Sequence, residues 1–138
     1  MAFLDEISTV LTSSTVAGGA TGWHLYLGHL PDSSTIGDKA VAVMETAGQQ
    51  DMGRVGLERP GLQVVVRGAS VNTTSTAYQD AQARAKLVNG ALHAFTGTPS
   101  SGTHFAGVWN QSGPFFTGFD EGWRPLFSAN YLVWRQTT

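Results

Sequence analysis

The chain contains no cysteine, few charged residues and no long apolar run, and each absence excludes a class of protein. Without cysteine there is no disulfide framework, thiolate metal site or cysteine nucleophile. No stretch approaches the ~20 apolar residues that a membrane helix requires. The chain starts Met-Ala-Phe-Leu-Asp-Glu, which is acidic where a secretion signal is basic, so we expect synthesis in a cytoplasm and no membrane partner.

Charge is scarce, because only 13% of the 138 residues are charged, against ~25% in an ordinary soluble domain. Eight basic and ten acidic residues give a net charge of −2, with no basic cluster. A protein that binds a phosphate backbone needs many Lys and Arg, so nucleic-acid binding is not expected. A surface kept wet by uncharged polar residues also suits coverage by other subunits.

The order of periodic segments predicts an α+β fold in one domain spanning residues 1–138. Apolar residues recur at three- and four-residue steps from Phe3 to Leu11 and from Tyr78 to Phe95, which predicts two helices. Extended patterns cover 23–27, 40–44, 62–67, 104–110, 115–119 and 126–135. This α-β-β-β-α-β-β-β order folds most simply as a mixed or antiparallel sheet of five to six strands with both helices on one face.

A polar segment punctuated by glycine, Gly48–Arg59, lies between two predicted strands. It is either a hairpin arm or a mobile loop. Pro60-Gly61 is predicted to turn the chain into the strand that follows. We call Gly48–Arg59 the arm.

The second helix has two further local signals. Thr74 or Ser75 is expected to cap its N-terminus. Asp80 and Arg84 have the spacing of an i,i+4 ion pair on its flank.

No motif predicts catalysis, a metal site or a cofactor. The four histidines are scattered, and none has the i,i+4 spacing of a helical metal site. Gly97–Thr103 has the glycine spacing of a phosphate loop, but His104 stands where that loop has lysine, and the segment follows a helix. Adjacent Asp120 and Glu121 would point to opposite faces of a strand, so we expect a turn with Gly122 as its permissive residue.

Large rings crowd the last third of the chain: Trp109, Phe115, Phe116, Phe119, Trp123, Phe127, Tyr131 and Trp134. A stacking platform for single-stranded nucleic acid would interleave them with Lys and Arg, yet only Arg124 and Arg135 occur there. Some of these rings fill the core, and aromatic enrichment is also typical of protein interfaces. A ligand-binding or hydrolytic domain with an aromatic pocket near Trp109 and Trp123 is the alternative from a different class.

The order and spacing of several segments resemble a known family. The segments are the Phe-Leu-Asp helix start, Leu27–Asp32, Val41–Gly48, Arg59–Gly68, Tyr78–Leu92, Gln111–Gly118 and Asp120–Arg135. Together they resemble the tail terminator, or minor capsid, proteins of long-tailed bacteriophages. One departure is Gly122-Trp123, where similar proteins tend to have Asn-Gly, which leaves the local turn type open.

This resemblance implies a structural virion protein with two helices on one face of a sheet, no catalytic residues and no cofactor. Such proteins form a hexameric ring on the last ring of tail-tube subunits, stop polymerisation and present a surface to neck proteins, while DNA only passes through the lumen. A head-completion or neck protein is the neighbouring alternative. The implied partners are therefore other copies of the chain, the tube protein and a neck protein.

Interface candidates come from this sequence itself, since the resemblance supplies no contact motif. They are Gln50, Asp51, Arg54 and Glu58 in the arm, and Arg67, Trp123 and Arg124 at strand ends. A closed ring requires two different patches that meet each other. Our hypothesis is that the arm reaches a ring neighbour or the tube, with Arg54 and Glu58 setting the register, and the alternative is a solvated, disordered hairpin.

Overall fold

The computed structural model describes residues 3–19, 21–31, 39–52, 56–100 and 103–136. Helix α1 spans Phe3–Ser13 and helix α2 spans Ala77–Leu92. The strands are β1 (His24–Leu27), β2 (Ala40–Met52), β3 (Leu57–Arg67), β4 (Gly97–Ser100), β5 (Thr103–Phe119) and β6 (Pro125–Gln136). The α+β class and the predicted order of helices and strands are therefore confirmed.

The six strands form one mixed sheet in the order β1-β2-β3-β6-β5-β4. Strand β1 is parallel to β2, and the other neighbours are antiparallel. In the β3–β6 ladder, Leu57 lies opposite Gln136 and Arg67 lies opposite Leu126. The β2–β3 hairpin and the β5–β6 turn consequently lie at opposite ends of the sheet.

Both helices cover the same face of this sheet, and their apolar sides join a single core cluster with it. The strand residues of that cluster alternate along the central strands, as the two-residue period of a pleated sheet requires. On β3 they are Leu62, Val64 and Val66, and on β6 they are Phe127, Ala129, Tyr131 and Val133. Each fully buried aliphatic side chain contributes about 1.5–3 kcal/mol to folding.

The Pro60-Gly61 pair does not form the predicted turn, because both residues lie within β3. Gly61 is opposite Thr46 of β2, and a Cβ at Gly61 would come within 2.4 Å of the Thr46 hydroxyl. A Cβ at Gly48 would come within 2.0 Å of the Arg59 carbonyl oxygen. These glycines let two strands approach each other at an irregular point of the ladder, so the prediction mistook a packing glycine for a turn glycine.

The N-terminal cap of α2 is also displaced from its predicted place. The cap residue is Thr76 rather than Thr74 or Ser75, and its side chain makes no capping hydrogen bond. The Thr76 hydroxyl instead donates to the Asp80 carboxylate at 3.0 Å. The segment that precedes the helix forms turns of its own, which shift the helix start.

Two of the predicted strands in the second half are one strand. The segments 104–110 and 115–119 both belong to β5, whose pairing with β6 shifts register several times along its length. The strand that completes the six is β4 at Gly97–Ser100, where the sequence analysis predicted no strand. The predicted number of strands is therefore right, but two predicted strands are joined in β5, and β4 was not predicted.

Candidate assembly surfaces

Arg67 and Arg124, two of the predicted interface residues, are buried in their own chain. Arg67 is 1% exposed and donates a hydrogen bond to the carbonyl of Pro31. Arg124 is 4% exposed, and its Nε lies 2.8 Å from Oδ2 of Asp120. A buried charge is costly unless it is paired, so both guanidinium groups serve the fold, and their contact with another subunit stays a prediction.

Asp120 holds the turn between β5 and β6. Its Oδ1 accepts hydrogen bonds from the backbone N–H groups of Gly122 at 3.0 Å and Arg124 at 2.9 Å. Trp123 has a φ of 57°, in the left-handed region that favours glycine and strains a bulky residue. The predicted turn is confirmed. The residue with a positive φ is Trp123, so the prediction that Gly122 takes this role is wrong.

Trp123 is one of four exposed rings at this end of the sheet, which we call the turn patch: Phe115, Phe116, Phe119 and Trp123. Phe115 lies opposite Ser128 and Phe116 lies opposite the core residue Phe127, so these two neighbouring rings lie on opposite faces of the sheet. At 56% exposure, Trp123 is the most exposed large hydrophobic side chain in the described part of the chain. The ring centroids of Trp123 and Phe119 lie 5.8 Å apart, those of Phe119 and Phe116 lie 5.1 Å apart, and Tyr78 of α2 lies 5.2 Å from Phe116. Because strain at an exposed aromatic residue costs stability without filling the core, it indicates a binding role.

The arm lies at the other end of the sheet. Its described residues continue β2 and β3 as an antiparallel hairpin, with Gln49 opposite Arg59, so the hairpin interpretation is correct for them. Gln50 and Asp51 are residues of β2. Arg54 lies outside the described residues, and its predicted role in register stays a prediction.

Glu58 connects the arm to the rest of the fold through an ion-pair triad, Glu6–Arg135–Glu58. Arg135 Nη1 lies 2.6 Å from Glu58 Oε2, and Arg135 Nη2 lies 2.5 Å from Glu6 Oε1. Glu6 is fully buried, the Arg135 side chain is 11% exposed, and that of Glu58 is 38% exposed. Burial alone lowers the pKa of Arg135, but the hydrogen bonds that it donates to Glu58 and Glu6, together with the charges of these carboxylates, raise that pKa above its usual value.

An open cleft of about 400 Å³ lies beside the Gly18-Gly19 loop, and it has the lining of a surface groove rather than an active site. Arg84 borders a neighbouring cleft, and its guanidinium lies 5.2 Å from the centroid of the Trp23 ring. Arg84 donates to the Val16 carbonyl at 3.1 Å, whereas Asp80 accepts from a threonine, so the predicted Asp80–Arg84 pair is not formed. Arg84 thus anchors α2 to the end of α1.

A polar network around the buried Tyr131 joins α2 to the sheet. Asn89 Oδ1 accepts from the Tyr131 hydroxyl at 2.9 Å and from Asn110 Nδ2 at 2.7 Å, while the Asn110 backbone N–H donates to His93 Nδ1 at 3.0 Å. Burial raises the pKa of Tyr131 to about 12. These groups satisfy one another, so they position the helix. No group of three or more His, Asp or Glu residues in the described ranges could hold a metal ion.

Trp109 and Trp123 do not share a pocket. The Trp109 ring contacts Trp134 at 5.4 Å between centroids, while Trp123 contacts Phe119 at 5.8 Å. Ten residues of strand separate Trp109 from Phe119, which is roughly 30 Å of extended chain. The aromatic pocket required by the ligand-binding alternative is therefore absent from these two positions.

Comparison with known families identifies the family to which the chain belongs. A family model for the bacteriophage tail terminator protein matches residues 7–136, which is nearly the whole chain. The chain belongs to the bacteriophage tail terminator family. This tail terminator is a structural component of the virion tail and not an enzyme, so the resemblance seen in the sequence is confirmed. A comparison with curated proteins finds no match.

One further property of this tail terminator concerns membranes. Neither described helix is both long and apolar enough to cross a bilayer.

Sequence reasoning missed the ion-pair triad, although one signal was present. Glu6 lies three residues after Phe3 and four before Val10, so it falls on the apolar stripe of α1 rather than on its polar side. A carboxylate on the buried face of a helix requires a cationic partner. That partner, Arg135, lies 129 positions further along the chain, so only the sheet topology reveals it.

Proposed function

We propose that this tail terminator assembles into a closed ring that caps the tail tube, stops the addition of tube subunits and offers the joining surface for neck proteins. The observation that supports the ring is the placement of two different surfaces, the arm and the turn patch, at opposite ends of one sheet. Identical subunits close into a ring only when one surface meets a different one. The resemblance in sequence implies six copies.

The chemistry of the two surfaces supports a contact between copies. The turn patch offers exposed rings and a strained tryptophan, which are typical of the few residues that dominate an interface. Strand β2 offers residues 45–49, which lead into the arm and are exposed and mostly uncharged. Covering uncharged polar side chains costs less free energy than covering charged ones, and backbone hydrogen bonds across the contact would offset that cost.

The tube contact gains strength from the ring itself. A single contact of about 2 kcal/mol would be weak, but a ring holds several copies at a fixed spacing, and their contacts then act together. The net charge of −2 disfavours retention of DNA in the lumen, because DNA binding depends on basic residues. Such a ring binds strongly only to a tube end whose subunits have the same symmetry, because only then do all the contacts form at once.

Shortening the arm tests this function. Replacing Gln50–Gly56 by a two-residue turn should leave the thermal unfolding of the monomer unchanged, because the core lies elsewhere. Electron microscopy of tails assembled with this variant should show overlong tubes without bound heads. A matched control replaces Leu87, an exposed residue of α2 outside both surfaces, by Gln.

Two outcomes would contradict the proposal. Normal tail length and head joining with the shortened arm would exclude the arm from assembly. Binding of the wild-type protein to DNA-filled heads but not to isolated tails would favour the head-completion alternative.

A further inference from the structure

One edge of β2 has no described strand beside it for most of its length. Strand β1 pairs only with Ala40–Val43, and the last bond on this side runs from the Gly28 N–H to the Val43 carbonyl. Residues 45–49 are exposed, and no other described backbone group pairs with that side of 44–52. A strand edge this long is a template for another strand.

The far edge of the sheet has a second free segment on β5. Strand β4 pairs with β5 only at Thr103 and Phe105, and the Ala94 N–H covers the edge as far as the Val108 carbonyl. Beyond this point, the edge of Phe115–Phe119 has no partner among the residues that the structure describes. This segment carries three of the four rings of the turn patch.

These two free edges lie on opposite sides of the sheet and at opposite ends of it. The β2 edge is at the arm end, and the β5 edge is at the turn end. A contact between them therefore joins two different surfaces and leaves one unused copy of each on the pair, ready for the next subunit. This geometry propagates from head to tail and is the type of contact that closes a ring.

We infer that the ring contact is a strand addition in which β2 residues 44–52 of one copy pair with β5 residues Phe115–Phe119 of the next copy. This inference rests on the proposed ring and specifies its contact. Backbone hydrogen bonds supply the register, and side chains beside the strands supply specificity. The rings of the turn patch would then lie beside the exposed small residues Thr46, Ala47 and Gly48 of the neighbouring copy's β2.

The shape of the β5 edge limits how far two copies can pair. Pro114 and two register shifts interrupt β5 just before the free segment, and a further shift lies within it between Phe116 and Gly118; such features oppose pairing along a longer stretch of the edge. The contact is consequently short. A short contact is stable only when the ring closes or when the tube holds the subunits together.

Cysteine crosslinking tests the contact directly, because the natural chain has no cysteine. The test variant carries Ala47→Cys and Thr117→Cys, both at exposed positions of the two edges. The controls are each single variant and a mismatched pair, Ala47→Cys with Leu87→Cys, since Leu87 is exposed on α2. Rings on tail tubes are counted by electron microscopy, treated with a short bis-maleimide and analysed on a denaturing gel.

The expected result is a ladder beyond the dimer that reaches the full ring in the test variant and is at least tenfold weaker in the mismatched pair. Rings without this ladder would overturn the inference and leave the proposed ring intact. Dimers from a single variant would show that like edges meet, and would also overturn it. Absence of rings in the wild type would remove both the inference and the proposed function.

A proline variant provides a second measurement that does not depend on crosslinking. The Val43 carbonyl faces the free edge, so by alternation the Glu45 N–H faces it as well. Glu45→Pro should lower the number of rings at least fivefold while the monomer keeps its melting temperature. Glu45→Gln is the matched control and should assemble normally, and unchanged assembly of the proline variant would contradict the strand addition.

Discussion

Replacing Arg135 by methionine tests whether the ion-pair triad holds α1, the arm and β6 together. The change keeps most of the side-chain volume but leaves the fully buried Glu6 without its cation. Its Oε2 already lacks a hydrogen-bond partner among the described residues, so no other group is in place to share the charge. Removal of one member of a buried pair typically costs 3–5 kcal/mol.

The exposure of each partner determines the expected size of the effect. The Arg135 side chain is 11% exposed, which admits some water and places the loss near the lower limit, at about 3 kcal/mol. Glu58→Gln removes the other ion pair, but the Glu58 side chain is 38% exposed. That change should cost no more than about 1 kcal/mol.

A double variant separates the lost attraction from the buried charge. Glu6→Leu with Arg135→Met replaces the pair by apolar groups of similar volume, and such replacements are often neutral or stabilising. The double variant should therefore be more stable than Arg135→Met alone. Urea unfolding gives the free energies of the cycle, which comprises the wild type, Glu6→Leu, Arg135→Met and the double variant. Tryptophan fluorescence follows the unfolding, since the chain has four tryptophans.

Two results would refute this reasoning. A loss below about 1 kcal/mol in Arg135→Met would mean that Glu6 is solvated rather than buried. A double variant less stable than Arg135→Met would mean that the unpaired Glu6 carboxylate carries no penalty.

Three further measurements test the turn, the buried tyrosine and the strand crossing. Trp123→Gly should leave the free energy of unfolding unchanged or raise it by up to about 1 kcal/mol, because relief of backbone strain offsets the lost aromatic contact. The same variant should form fewer assembled rings. A clear loss of stability would mean that the Trp123 side chain serves the fold. Burial raises the pKa of Tyr131 from 10.0 to about 12, so its contribution is complete below pH 10 and is lost as the pH rises to 12. The loss is about 3 kcal/mol and should be missing in Tyr131→Phe, and equal alkaline unfolding curves for both proteins would contradict it. Gly48→Ala should lower the melting temperature, because the new methyl group meets the Arg59 carbonyl, and an unchanged value would refute the close approach.

Local patterns predicted the fold wherever a segment has a clear period and its own boundaries. Helix α2 and the second half of β3 are such segments, and their core residues were identified from spacing alone. The turn predicted at Pro60-Gly61 is wrong because a glycine that lets two strands approach closely looks the same in the sequence as a glycine that permits a turn. Only the pairing of β2 with β3 distinguishes the two.

The candidate surfaces were predicted less well, because burial depends on the sheet order. Arg67 and Arg124 resembled rim residues since both lie at strand ends, yet the fold buries each guanidinium group beside a partly buried acceptor. Trp123 was selected for its type, whereas its strained backbone becomes visible only in the turn that Asp120 organises. The partner of Glu6 required knowledge of a contact between the two ends of the chain.

Strand addition within the ring also suggests why a cap stops growth. A free strand edge can recruit another chain, and a closed arrangement of strands removes every such edge. In a complete ring, each β2 edge and each β5 edge is occupied by a neighbour, so the turn patch and the arm are consumed. In the proposed ring, neither strand would keep a free edge that could recruit a further copy of this chain. Closure of the ring would therefore limit the assembly to a single ring of this chain, which is the property that a cap requires.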